Sequence, residues 1–235
     1  MGTKGTLVLL RHGQTDYNVK KLMTGQHDEP LNENGEEQAR EAGRIISVFR
    51  LDKVYSSNLS RAFNTAAMAL EEAGNQQHLK TKDGWDIEQR AEVAELHTGD
   101  FTGRNHKTDP EIVAFVRSYD RPLPGGESDE QVVERVGRFY QDELLPRLER
   151  GETVLVVSHS GTMRAFAHVL GIVDAPAPGE PSKKIRIPNA TPTVVEYEGG
   201  VMKGHFHLEN PKELEAANQN KPPVPPKKNG TKPRP

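Results

Sequence analysis

The chain has 235 residues, 17 prolines, 21 glycines, no cysteine, and a formal net charge of −3 from 31 basic and 34 acidic side chains. This profile suits one globular α/β domain and excludes a disulfide framework, a thiolate zinc site and a cysteine nucleophile. The near-neutral total hides a division: residues 218–235 hold Lys221, Lys227, Lys228, Lys232, Arg234 and six prolines without an acid, which leaves residues 1–217 with 26 basic against 34 acidic groups, a net −8. An acidic body opposes general nucleic-acid binding, which needs a basic face. No run approaches the roughly 18 apolar residues of a membrane span, and the short apolar segment after Gly5 is too brief for a secretory signal core. A cytoplasmic protein with no membrane or nucleic-acid partner is therefore expected.

In chain order, Thr6–Leu10 is apolar throughout and predicts a strand buried on both faces of a parallel sheet. Glu36–Phe49 places Ala39, Ala42, Ile45, Ile46 and Phe49 at helical spacing, with Asn32 able to cap the first turn. A short strand is expected at Lys53–Tyr55, followed by a helix from Leu59 to Ala73 that ends at Gly74. Residues 75–127 have weak periodicity and read as a subdomain or a functional loop system over one end of the sheet. A helix is expected over Asp129–Leu148, a second buried strand at Thr153–Val157, a helix over Thr162–Leu170, and a C-terminal hairpin from Thr193–Tyr197 and Val201–Phe206. The fold predicted is a single doubly wound, mostly parallel α/β sheet with helices on both faces and an antiparallel C-terminal edge.

In such a sheet, ligands collect outside the carboxyl ends of the strands. The first buried strand is followed by Arg11-His12-Gly13-Gln14-Thr15 and the second by Ser158-His159-Ser160-Gly161. A lone histidine at such a place is more often structural than catalytic, but two at the same end of neighbouring strands, one beside an arginine, point to a phosphoryl site. Neutral imidazole can accept a phosphoryl group covalently, and fixed cations stabilise the charge spread over the transferring oxygens. Arg11, Arg61 and His159 could supply that charge, with backbone N–H groups at the helix start after His159. No HxH or HxxxH spacing joins His12 to His159, which opposes a metal site, and none is expected.

Leu10-Arg11-His12-Gly13 with Thr15, Tyr17 and Asn18 resembles the signature of the histidine phosphatase superfamily, the phosphoglycerate mutase-like group. Supporting motifs recur in order: Thr24-Gly25, Pro30-Leu31, Tyr55 through Arg61-Ala62 with Thr65, Glu95 with Gly99 and Gly103, Pro124-Gly125-Gly126-Glu127-Ser128, and Ser158-His159. The resemblance implies that His12 is the phospho-accepting nucleophile, that Arg11, Arg61 and His159 bind the phosphoryl group, and that Glu95 is the general acid and then base. It further implies substrate-binding positions at Asn18, Thr24, Gly25, Arg117 and Ser160, a small phosphorylated metabolite as substrate, and no required cofactor. Relatives of this kind are often dimers or tetramers, so a homo-oligomer stays open.

The superfamily includes simple phosphatases and mutases that use 2,3-bisphosphoglycerate as a phosphoryl primer. Where such mutases carry additional cations and Tyr-Gly, this chain has Leu96, Thr98-Gly99, His106 and Val116-Arg117, and Ser160-Gly161 replaces Gly-Asn. Charge-assisted hydrogen bonds are worth about 1.5–3 kcal/mol each, so these losses favour hydrolysis. Arg117-Ser118-Tyr119-Asp120, Ile187-Pro188 and Pro192 resemble mutase features, and Arg104 and Lys107 could replace part of the missing charge, which keeps the mutase as the alternative.

Residues 1–208 are expected to form the catalytic domain and 209–235 a basic, proline-rich, disordered tail. Within it, Lys221-Pro-Pro-Val-Pro-Pro-Lys227 contains a PxxPxK pattern of the kind SH3 domains bind as polyproline II, which supports a weaker alternative, an interaction module with an SH3-type partner.

Overall fold

The computed structural model describes residues 2–115, 118–177, 179–181, 185 and 187–207. Arg117 and the proline-rich tail lie outside the described residues. Among the described residues eight strands form, β1 (Lys4–Arg11), β2 (Lys53–Ser57), β3 (Lys80–Thr81), β4 (Gly84–Trp85), β5 (Glu88–Arg90), β6 (Thr153–Ser158), β7 (Thr193–Glu198) and β8 (Val201–His207). Six of them make one sheet in the order β5-β2-β6-β1-β7-β8. The first four are parallel, and β7 and β8 add an antiparallel edge.

The apolar runs of β1 and β6 reflect helices on both faces. Leu7, Leu9, Val154 and Val156 point into one core, while Val8, Leu10, Leu155 and Val157 point into the other. Helices α2 (Glu33–Ile46) and α3 (Ser60–Ala73) cover the second face, after a short α1 (Asp16–Lys20). The first face is covered by α5 (Asp129–Phe139), α6 (Leu145–Glu149) and α7 (Ser160–Val169), with a short α4 (Pro110–Ala114) preceding them. Each fully buried aliphatic side chain of these strands contributes about 1.5–3 kcal/mol. Among the described residues no helix is long and apolar enough to cross a membrane.

Local signals explain most boundaries. Asn32 caps α2 by accepting from the Gly35 N–H, and the helix starts three residues before its apolar pattern does. Its last expected residue, Phe49, is beyond the helix end, in a turn where its N–H donates to the Ile46 carbonyl at 2.9 Å. Gly74 ends α3 in the left-handed region, at φ 70. The single helix expected over Asp129–Leu148 contains a π turn at Tyr140–Leu144. Pro146 has no N–H for the carbonyl one turn back and its ring crowds that turn, so the ladder widens there.

The middle region combines both expectations for it. β3 and β4 pair as a separate small hairpin, but Glu88-Gln89-Arg90 joins the main sheet as an edge strand parallel to β2. That polar triplet has no alternation to betray it. Downstream, the chain crosses the end of β6, where Ser158 Oγ donates to the Val93 carbonyl at 2.6 Å and Thr162 Oγ1 to the Ala94 carbonyl at 2.7 Å. These two bonds hold the loop bearing Glu95 over the carboxyl ends of the parallel strands.

Candidate active site

β1 and β6 are adjacent and parallel, with Arg11 in register with Ser158, so the residues that follow them emerge side by side. The His12 N–H donates to the Ser158 carbonyl at 2.9 Å, and the His12 and His159 rings lie 5.1 Å apart. Both are buried. His12 Nδ1 lies 2.6 Å from the Gly13 carbonyl, an acceptor only, so Nδ1 carries the proton and Nε2 keeps its lone pair. Among the described residues, His159 has no hydrogen-bond partner at either ring nitrogen.

Two guanidiniums flank the imidazoles. Arg11 donates from Nη1 to the Ile187 carbonyl at 2.7 Å. Arg61, in the first turn of α3, is almost fully buried and donates to the carbonyls of His27 and Gly25, both at 2.8 Å. Gly25 has φ 52, and a side chain there would strike Thr98, so glycine is required where this loop meets the arginine. Among the described residues, the Nε atoms of Arg11 and Arg61 have no hydrogen-bond partner. Buried donors of this kind, gathered at one place and left unpaired, mark a site built for an anion.

The electrostatics follow from burial. Desolvation, and then the Arg61 and Arg11 cations, hold the His12 pKa well below the ordinary 6.5. His159 is lowered in the same way by desolvation, then Arg61, His12 and Arg11. Burial also lowers both arginines, with Glu95 opposing the shift, yet guanidinium stays charged at any ordinary pH. Burial and the two neighbouring cations thus both favour the neutral form of each imidazole. Unfolded imidazoles take up protons below about pH 6.5 and the folded ones do not. Their contribution is fully present above that pH and is lost as pH falls, by about 1.4 kcal/mol per unit for each ring. Urea unfolding in phosphate-free buffer between pH 7 and 5.5 measures this, and a flat profile would contradict a neutral buried pair.

Glu95 is half-buried, and its Oε1 accepts from the Leu96 and Gly161 N–H groups, both at 2.9 Å. The second donor belongs to the first turn of α7, which begins directly after His159 and two residues earlier than its apolar pattern. Gly161 has no room for a Cβ, which would collide with the Glu95 carboxylate. Arg135 fixes the same loop from α5: it pairs with Glu127 at 3.0 Å and donates to the carbonyls of Glu92 at 2.6 Å and Glu95 at 3.1 Å. The Pro-Gly-Gly-Glu-Ser segment therefore acts on Glu95 through this arginine.

A cleft of about 380 Å³ opens on this group. Arg11, His12, Asn18, Thr24, Gly25, Arg61, Glu95 and Ser160 line it, and the His159 ring is next to that of His12 without lining the cleft itself. Arg117 falls outside the described residues. Asn18 shares a capping box with Thr15, and Asn189 Nδ2 donates both to Asn18 Oδ1 at 3.3 Å and to the His12 carbonyl at 2.9 Å.

Sequence reading missed Arg135, Asn189, Arg164 and an apolar wall. Arg164 lines the cleft and donates to Ser160 Oγ at 2.8 Å. Its spacing of four from Ser160 on one helix would have revealed it. Arg104, read as a replacement cation, is instead closed by Asp109 and Glu111 at 2.8 and 2.7 Å, and neither it nor Lys107 lines the cleft.

His12, His159, Arg11, Arg61 and Glu95 thus gather at the carboxyl end of a parallel sheet, an arrangement suited to holding a phosphoryl group. The profile of the histidine phosphatase superfamily (branch 1) matches residues 7–208, and the chain belongs to that family. Among curated proteins, it is 35% identical to a 2,3-bisphosphoglycerate-dependent phosphoglycerate mutase of Parvibaculum lavamentivorans, over 86% of this chain and 96% of that protein. It is 42% identical to the protein of the same name from Methylobacterium sp. (strain 4-46), over 74% and 84%. Among solved structures, a mycobacterial glucosyl-3-phosphoglycerate phosphatase superposes with a TM-score of 0.64 at 30% identity, covering 81% of this chain and 92% of the other. Phosphoglycerate mutase from Bacillus anthracis shares the fold, with a TM-score of 0.68 at 24% identity over 89% and 93%.

Proposed function

We propose that the protein hydrolyses small phosphate monoesters through a phosphohistidine at His12. The observation that carries this reading is the tautomer: Nδ1–H is bound to the Gly13 carbonyl, leaving a neutral Nε2 between Arg11 and Arg61. Nε2 attacks phosphorus as the bond to the ester oxygen breaks, and Glu95 gives that oxygen its proton. Water then attacks phosphorus, returns a proton to Glu95 and releases inorganic phosphate as the N–P bond breaks. Arg11 and Arg61 hold the equatorial oxygens during both displacements, joined by N–H groups at the start of α7, and His159, whose ring lies 5.1 Å from that of His12, keeps the phosphoryl-binding role read from the sequence. Asn18, Thr24, Gly25 and Ser160 line the substrate's place, and Arg117 remains a substrate-binding candidate from sequence.

Hydrolysis is preferred because a phosphoglycerate bears a carboxylate as well as phosphate, and the cleft offers it little charge. Among the described lining residues, Arg164 is the one arginine besides Arg11 and Arg61, and no lysine contributes. A second reading, mutase activity primed by 2,3-bisphosphoglycerate, is favoured by the names of the curated relatives. Incubation with 3-phosphoglycerate, with and without catalytic 2,3-bisphosphoglycerate, separates the two when 2-phosphoglycerate and inorganic phosphate are measured separately. The expected result is phosphate release with little isomer. Efficient isomerisation with little phosphate would reverse the preference.

A further inference from the structure

Away from Arg11, Arg61 and Glu95, the cleft wall changes character. Met23, Leu96, Phe101, Ile112, Phe115 and Leu123 form it, supplied by four separate stretches of chain. The Phe101 and Phe115 rings meet edge to face at 5.5 Å. Guanidiniums stack on both, Arg104 at 5.3 Å from the Phe101 centroid and Arg121 at 4.3 Å from that of Phe115. Arg104 is held there by its two carboxylates. Leu96, Phe101 and Leu123 belong to the core, but Met23, Ile112 and Phe115 are only half-buried and present apolar surface to the cleft, with His106 as a polar neighbour. Thr98, a polar residue on the same wall, already has its hydroxyl 2.7 Å from that of Thr102.

A hydroxylated or carboxylated leaving group laid on such a surface would exchange water for carbon and lose its hydrogen bonds. An alkyl or aryl group gains by the same transfer. We propose that this apolar wall selects the leaving alcohol, making the preferred substrates phosphate monoesters of apolar alcohols or phenols rather than of glycerate or sugars. This inference rests on the hydrolytic reading and assigns its substrate class.

The test is a series of straight-chain alkyl phosphates from ethyl to hexyl, whose leaving-group acidities are nearly equal, with kcat/KM measured by phosphate release from the unmodified protein. Each methylene that reaches the wall is expected to raise kcat/KM roughly threefold, so hexyl phosphate exceeds ethyl phosphate by tens of fold. Phe115→Ala is expected to reduce the hexyl-to-ethyl ratio by about fivefold or more. The unmodified series decides the matter even where that variant fails to fold. Equal kcat/KM across the series, with phosphate released from every member, would overturn the apolar selection and leave hydrolysis standing. Isomerisation of 3-phosphoglycerate with no phosphate release from any alkyl ester would overturn both.

Discussion

His12→Ala is expected to lower turnover of any phosphomonoester by roughly 10⁴-fold or more, the scale on which loss of a covalent nucleophile acts. The reason is that, of the two imidazoles among the described lining residues, His12 and His106, His12 is the one buried beside the Arg11 and Arg61 cations. His159, 5.1 Å away ring to ring, has its pKa lowered in the same way but does not line the cleft. Arg11 and Arg61 are permanent cations and cannot attack phosphorus. The variant removes a buried ring whose Nδ1 bonds only to the adjacent Gly13 carbonyl, so the sheet contacts of β1 are untouched. Rapid quenching with ³²P-labelled substrate is the direct measurement. The parent protein should accumulate an acid-labile, alkali-stable phosphoprotein, and the variant none. A labelled intermediate that persists without His12 would move the nucleophile elsewhere.

The second large effect concerns Glu95. Glu95→Gln keeps the side-chain oxygen that accepts from the Leu96 and Gly161 N–H groups, so the loop and the start of α7 stay in place. What is lost is the transferable proton. General acid catalysis is worth about 10²–10⁴-fold, and it matters in proportion to the basicity of the leaving oxygen. Hydrolysis of an alkyl phosphate is therefore expected to fall by about 10²–10³-fold, while p-nitrophenyl phosphate, whose leaving group needs little protonation, falls by less than about tenfold. Equal losses on both substrates would remove Glu95 from the acid role.

Arg135 connects this chemistry to the fold. It carries charge to Glu127 and hydrogen bonds to the backbone on either side of the Glu95 loop. Together with Ser158 and Thr162, it suspends a segment that has little regular structure of its own. The catalytic carboxylate is thereby positioned by side chains from β6, α5 and α7 rather than by its own secondary structure.

The alternation of buried strands with amphipathic helices was legible in the residues, because a strand covered on both faces must be apolar at every position and a helix at every third or fourth. The C-terminal hairpin was legible for a similar reason, through Gly199 and Gly200 between two β-rich runs. Edge strand β5 was not, since three polar residues at a sheet margin need satisfy no burial pattern. The π turn before Pro146 also went unread: periodicity reports which face is apolar, not how the carbonyls of one turn are shared.

The same division runs through the site. Local sequence determined that an Arg-His pair and a Ser-His pair end two buried strands, that glycines follow them, and that an arginine opens a helix after Tyr55-Ser-Ser. Those are short-range facts of strand, turn and cap. Tertiary structure alone decided which of many charged groups share a volume: that Arg164 and not Arg104 or Lys107 reaches the cleft, that Asn189 returns to the His12 carbonyl, and that Phe101, Ile112 and Phe115 face the cleft together. Proximity between residues tens of positions apart is set by the crossing of whole elements and by competition among ion pairs, and neither is encoded in the spacing of any one motif.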